Sequence, residues 1–171
     1  LPTNKNSGEG AAEVIVKAEK QATANQYKGI SVKGFYSLLL DEGKELMGWN
    51  ITACNFEMTL NAAIPDFINR NLKTILQQAL NYYSLLEKSI STWAIHPGGK
   101  RILDTIQKNL QLKEEQIQAS YKVLKEFGNM SSPTILFVLN ELMETTEAPT
   151  IFSMGFGPGL SIETALFTHA D

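Results

Sequence analysis

Apolar residues recur at helical spacing over residues 64–83, where Ile64, Phe67, Ile68, Leu72, Ile75, Leu76, Ala79 and Leu80 fall on one stripe. Asn61 stands where it can cap this helix, and Pro65 fits its first turn. Residues 100–109 read as a short helix. Residues 113–127 read as another, with Ile117, Leu124 and Phe127 inward and Gly128 as its stop. A fourth begins at Pro133, with Ser131 or Ser132 as cap, and runs through Ile135, Leu136, Leu139 and Leu142 to residue 144. It is apolar nearly all round, as a buried helix should be. β-Branched and aromatic runs predict strands over residues 11–16, 30–40, 49–60, 92–95, 150–154 and 160–168. Residues 17–29 form a polar connection, and Asp41-Glu42-Gly43-Lys44 a turn. Strands mixed with helices imply an α/β fold, a mixed sheet with covering helices.

A chain of 171 residues with 43% apolar composition can bury a real core, so residues 1–171 are expected to form one domain. Net charge is −3, with Lys and Arg scattered, which argues against a nucleic-acid partner. No apolar run is long enough for a bilayer and no signal-peptide pattern stands at the start, so a soluble, cytoplasmic protein is expected. The single cysteine, Cys54, excludes an internal disulfide and a multi-cysteine metal site. It sits within the 49–60 strand and reads as a buried structural thiol rather than a nucleophile, which would want a basic neighbour or a helix N-terminus.

Three runs carry the candidate chemistry. His96 ends the 92–95 strand and is followed by Pro97-Gly98-Gly99. Asn129 lies in Gly128-Asn129-Met130-Ser131-Ser132. A glycine-walled run, Gly155-Phe156-Gly157-Pro158-Gly159-Leu160, follows near the C-terminus. An imidazole Nε2–H and a carboxamide N–H aimed at one carbonyl oxygen can stabilise an enolate or a tetrahedral oxyanion. The same residues also admit plainer roles: a packed histidine at a strand end, an asparagine that forms a turn, a bulged turn between closing strands. No Gly-x-Ser-x-Gly elbow or phosphate-binding fingerprint is present.

Taken together, these runs resemble the type III polyketide synthases, the chalcone synthase-like enzymes. His96-Pro97-Gly98-Gly99 with Ile102-Leu103-Asp104 matches that family's histidine motif. Gly128 to Ser132 matches its asparagine motif, and Gly155 to Leu160 with Glu163-Thr164 its C-terminal loop. Gly8-Glu9-Gly10-Ala11-Ala12 is similar to its Gly-Asp-Gly-Ala-Ala run, with Glu replacing Asp. Phe56 falls where the family places a phenylalanine gatekeeper. Ser7, where an aromatic gatekeeper is usual, and Glu13, in a stretch the family keeps apolar, depart from the pattern.

The resemblance implies a thiolase-like fold of two similar halves, of which this chain matches the C-terminal one. It implies an acyltransferase that joins malonyl-CoA to an acyl-CoA starter by decarboxylative Claisen condensation, with no metal or cofactor. His96 and Asn129 would be the oxyanion donors. Gly98, Gly99 and Arg101 would touch the pantetheine arm, and Phe56, Ser131, Gly157 and Pro158 would shape the cavity. The nucleophilic cysteine belongs to the N-terminal half and has no counterpart here, so the chain alone is expected to be inactive. Its expected partners are the complementary half and, when complete, a second copy in a homodimer. A different reading is a non-catalytic binding or assembly module that keeps the fold without the reaction.

Overall fold

The computed structural model describes residues 8–18, 29–145 and 149–169. The 20-residue helix α1, Ile64–Tyr83, buries the stripe read from its periodicity, Ile64 through Leu80. Asn61 Oδ1 accepts the Ala63 amide at its start. Ser84, in the left-handed region at φ 55°, ends it. The other helices are α2 (Lys100–Asn109), α3 (Glu114–Phe127) and α4 (Pro133–Thr145). Among the described residues, no helix is long and apolar enough to cross a membrane.

The strands are β1 (Ile30–Leu39), β2 (Met47–Ile51), β3 (Phe56–Leu60), β4 (Thr92–Ile95), β5 (Ile151–Gly157) and β6 (Ser161–His169). Four of them form a mixed sheet in the order β1-β6-β5-β4. β4 runs parallel to β5, and the other pairs are antiparallel. The chain leaves β4, passes through three helices and returns as β5, the long crossover a parallel pair requires. All four residues of β4 are buried, as expected of a strand covered on both faces. Trp93, Ile95, Phe152, Met154 and Ile162 pack with α1 and α2. Ala94, Ile151, Ala165 and Phe167 pack with α3 and α4. The fold is therefore the α/β, mixed-sheet arrangement expected, with helices on both faces.

Several local expectations fail. Residues 11–16 form no strand: the stretch pairs with no described strand, and Val14, Ile15 and Val16 are exposed. The expected strand over 49–60 is a hairpin of β2 and β3, folded at residues 52–55. Thr52 Oγ1 receives the amides of Cys54 and Asn55, and the Thr52 amide bonds the Asn55 carbonyl at 2.9 Å, closing the turn. Cys54 is accordingly exposed in a turn, not buried in a strand. Phe127 is largely exposed and meets the Phe137 ring edge-on rather than pointing into the core. Gly155-Phe156-Gly157 continues β5, so the turn is confined to the next three residues. The expected connection over 17–29 lies for the most part outside the described residues.

Candidate active site

β4 delivers His96. The His96 amide extends the parallel ladder by donating to the Met154 carbonyl at 2.8 Å. The preceding amide, of Ile95, donates instead to the buried Ser120 Oγ on α3, at 3.0 Å. Beyond His96 the chain turns sharply: the Gly98 amide returns to the His96 carbonyl at 2.9 Å around the buried Pro97. Gly99 is the N-cap of α2, and its carbonyl receives the Ile102 amide. Gly155 of β5 lies alongside, such that a Cβ built there would sit 3.9 Å from the His96 Cβ. Burial strips water from the His96 imidazole and holds its pKa below the usual histidine value, favouring the neutral ring.

α3 delivers Asn129. The helix stops at Gly128, whose φ of 73° suits glycine. Asn129 then makes a compact set of bonds. Its Nδ2 donates to the Gly98 carbonyl at 3.3 Å, which joins the asparagine turn to the histidine loop. Its Oδ1 accepts the Ser131 amide at 2.9 Å. Ser131 itself is exposed, with φ 63°. The interactions found at the start of α4 come from Thr134 rather than from a serine side chain. The Thr134 hydroxyl accepts the Met130 amide and donates to the Ser131 carbonyl, both at 2.8 Å.

The structure thus brings His96, Gly98, Gly99 and Asn129 into one connected pair of loops, with Ser131 beside Asn129. Arg101 follows on the first turn of α2, exposed, with its guanidinium 4.0 Å from Asp66. Gly157 closes β5 opposite Ser161, where a Cβ would come within 2.6 Å of the Ser161 hydroxyl. Pro158 is exposed in the turn that follows, and the next amide, of Gly159, bonds the Met47 carbonyl at the base of the hairpin. Phe56 stands at the hairpin's other end, paired with Ile51, about 14 Å along the strand from Met47. Phe56 is 69% exposed.

Sequence reasoning missed Ser120 and Thr134. Ser120 carried a usable signal, since a serine at a core-facing position three residues after Ile117 needs a partner. Among the described residues, no group of three or more His, Cys, Asp or Glu side chains is placed to hold a metal.

Residues 35–170 match the family described as chalcone and stilbene synthases, C-terminal domain. The chain is 31% identical over 166 residues to a Bacillus subtilis (strain 168) protein named "Putative chalcone synthase", covering 94% of this chain and 46% of that protein. It is similar to the solved structure of PKS-I from the brown alga Ectocarpus siliculosus, with TM-score 0.74 and 28% identity over 82% of this chain and 39% of that one. It shares its fold with the C-terminal type III polyketide synthase domain of Steely1, a type I/III hybrid from Dictyostelium. There the TM-score is 0.75 and the identity 23%, covering 83% of this chain and 41% of that one. The chain spans about half the length of these relatives or less.

Proposed function

Because the chain belongs to the chalcone and stilbene synthase family, as its C-terminal domain, we propose that it carries the oxyanion-binding part of a decarboxylative Claisen condensation. The observation that supports this reading most is the bond from Asn129 Nδ2 to the Gly98 carbonyl. It ties the two loops that bear the candidate donors and leaves the second Nδ2–H without an acceptor among the described residues, where it could be given to a ligand.

In this reading a malonyl thioester loses carbon dioxide. The electron pair of the broken carbon–carbon bond passes into an enolate, whose oxygen takes hydrogen bonds from His96 Nε2–H and Asn129 Nδ2–H. The enolate carbon attacks the thioester carbonyl of an acyl starter, and the thiolate leaves. A neutral imidazole can donate from Nε2, and the lowered pKa of His96 supports that form. A cysteine thiolate brought beside it would draw the pKa back up and make an imidazolium partner. Gly98, Gly99 and Arg101 would meet the pantetheine arm of CoA, and Phe56, Ser131, Gly157 and Pro158 the growing chain.

The nucleophilic cysteine and a cover for the hairpin would come from the N-terminal part of the family fold. Met47, Trp49, Ile51, Phe56, Met58 and Leu60 share one face of that hairpin. Of these only Met47 is buried, and Ile51 is 80% exposed. Soluble proteins seldom leave such a face open. The complete enzyme would be a homodimeric acyltransferase using malonyl-CoA and an acyl-CoA starter, and this chain alone would be inactive. The single cysteine, Cys54, lies in the hairpin turn rather than on the loops that bear His96 and Asn129, and with Ser7 and Glu13 this favours a second reading, a non-catalytic assembly module.

The test uses a chain of family length that contains these residues. Removing one oxyanion donor costs about 10²–10³ in rate. His96→Ala and Asn129→Ala should each lower malonyl-CoA decarboxylation by that factor while the protein stays folded. Normal decarboxylation by Asn129→Ala overturns the assignment and leaves the assembly module.

A further inference from the structure

Two glycines outside the site reach its asparagine turn. The Gly8 amide donates to the Asn129 carbonyl at 2.9 Å. A Cβ on Gly8 would lie 1.9 Å from the Phe127 carbonyl oxygen, the last residue of α3. A Cβ on Gly10 would lie 2.3 Å from Met130 Sδ. Gly10 is not in the left-handed conformation, which is found at Gly128 and Gly159. What these positions require is therefore space, a close approach of one backbone to another. Residues 9–18 are exposed, so burial does not hold this stretch in place.

We propose that Gly8 and Gly10 are positioning residues, a backbone strap across residues 127–130 that fixes the Asn129 turn against the histidine loop. The inference rests on Asn129 being an oxyanion donor for its catalytic consequence, though not for the strap itself. Asn129 is held at three atoms. Its carbonyl is held by Gly8, its Oδ1 by Ser131 and its Nδ2 by Gly98. An oxyanion donor must be aimed before the charge develops, and a turn that shifts by a fraction of an ångström loses that aim. The Thr134 hydroxyl on α4 also reaches Asn129 Oδ1, at 3.5 Å, so among the described residues Gly8 supplies the one contact made to the Asn129 backbone carbonyl rather than to its side chain.

The two glycines make separable predictions. A methyl at Gly8 meets a backbone carbonyl that cannot step aside. A methyl at Gly10 meets the flexible end of a side chain, which a second substitution removes.

The experiment uses the isotope-labelled chain and follows the Asn129 side-chain amide resonances, identified by their loss in Asn129→Asp. Gly8→Ala should move them, whether or not Met130→Ala is also present. Gly10→Ala should move them, and Gly10→Ala with Met130→Ala should return them to the position seen in Met130→Ala alone. In the unsubstituted chain the Gly8 amide should exchange with solvent at least about tenfold more slowly than a free peptide, as a hydrogen-bonded amide does. This measurement decides the matter if Gly8→Ala fails to fold. Resonances unmoved by Gly8→Ala, or a Gly8 amide exchanging at the free rate, overturn the strap. In a family-length chain, Gly10→Ala should lower kcat for malonyl-CoA decarboxylation with KM held, and Met130→Ala should restore it. Resonances that move while kcat holds would leave the strap standing and overturn the catalytic role of Asn129, so the two failures are distinct.

Discussion

Ser120→Ala should destabilise the protein through a single amide one residue before His96. β4 is an edge strand of the four-stranded sheet, and its amides alternate in direction. Those of Thr92 and His96 reach the carbonyls of Thr150 and Met154. That of Ile95 points away from β5, to Ser120 Oγ at 3.0 Å. Both Ile95 and Ser120 are 0% exposed, so removing the hydroxyl leaves a buried N–H without an acceptor. An orphaned buried donor costs about 1–3 kcal/mol. For a domain of this length each kcal/mol lowers the melting midpoint by about 2–4 °C, giving an expected fall of about 2–12 °C. The assay is urea and thermal unfolding with the m-value compared, since an unchanged m assigns the loss to native stability. Tyr121→Phe is the neighbouring control, because the Tyr121 hydroxyl binds Asp104 and Gln107 near the surface. A Ser120→Ala protein within about 0.5 kcal/mol of the parent would refute the argument, because that is the scatter of neutral surface substitutions.

The His96 titration, read by NMR, should have its midpoint below the ordinary histidine value of 6.5, since burial lowers the pKa; a midpoint at or above that value refutes the desolvation argument. The unfolded chain then binds the proton more readily than the folded one, so this residue's contribution is intact above about pH 6.5 and is lost as pH falls towards the folded pKa. His96→Gln should flatten that part of the stability–pH curve, and an unchanged slope would count against it. Ile68, 0% exposed in α1, should cost about 2–5 kcal/mol on substitution by alanine, measured by urea unfolding, whereas a loss under 1 kcal/mol would mean that α1 is not packed as described. Cys54 should react completely with a thiol reagent in the folded chain, since it is exposed in the hairpin turn; protection until unfolding would restore the buried strand position.

The helices were legible because their signal is local. The α1 stripe, the Gly128 stop and the Pro133 start each report on a few neighbouring residues, and the structure follows them to within a residue or two. β4 was legible because Thr92-Trp93-Ala94-Ile95 is a short β-branched and aromatic run bounded by His96-Pro97 and a glycine pair. The failures are of another kind. Residues 11–16 have the β-branched content of a strand, but a strand also needs a pairing partner, and none of the described strands pairs with them. The 49–60 hairpin was hidden because its turn, Thr52-Ala53-Cys54-Asn55, contains neither glycine nor proline. A threonine hydroxyl performs the reversal there, taking amides from the two residues after Ala53. Glycine at 155 and 157 read as a turn, yet both stand in β5, where Gly155 lies beside His96 and the Ser161 hydroxyl would crowd a side chain at 157.

The site shows the same division between residue and arrangement. His96 and Asn129 stood out because their flanking glycines and elements marked them. Their connection could not be read, because it runs through atoms that every residue possesses: the Gly98 carbonyl, the Ile95 amide, the Asn129 carbonyl. Backbone groups carry no letter in a sequence. What betrays them is the polar side chain sent to meet them, and here two such side chains sit among apolar neighbours. Ser120 breaks the inward stripe of α3 to reach β4, and Thr134 breaks the apolar run of α4 to hold the asparagine turn. Both are 0% exposed. A buried hydroxyl without a partner would be a net cost, so the place of each in its apolar pattern already implies a backbone group close by. Both partners prove to lie one residue from a candidate oxyanion donor, Ile95 before His96 and Met130 after Asn129. Two of the buried polar residues, Ser120 and Thr134, therefore brace the two loops of the candidate site, and substitutions there should disturb the placement of His96 and Asn129 without touching a substrate.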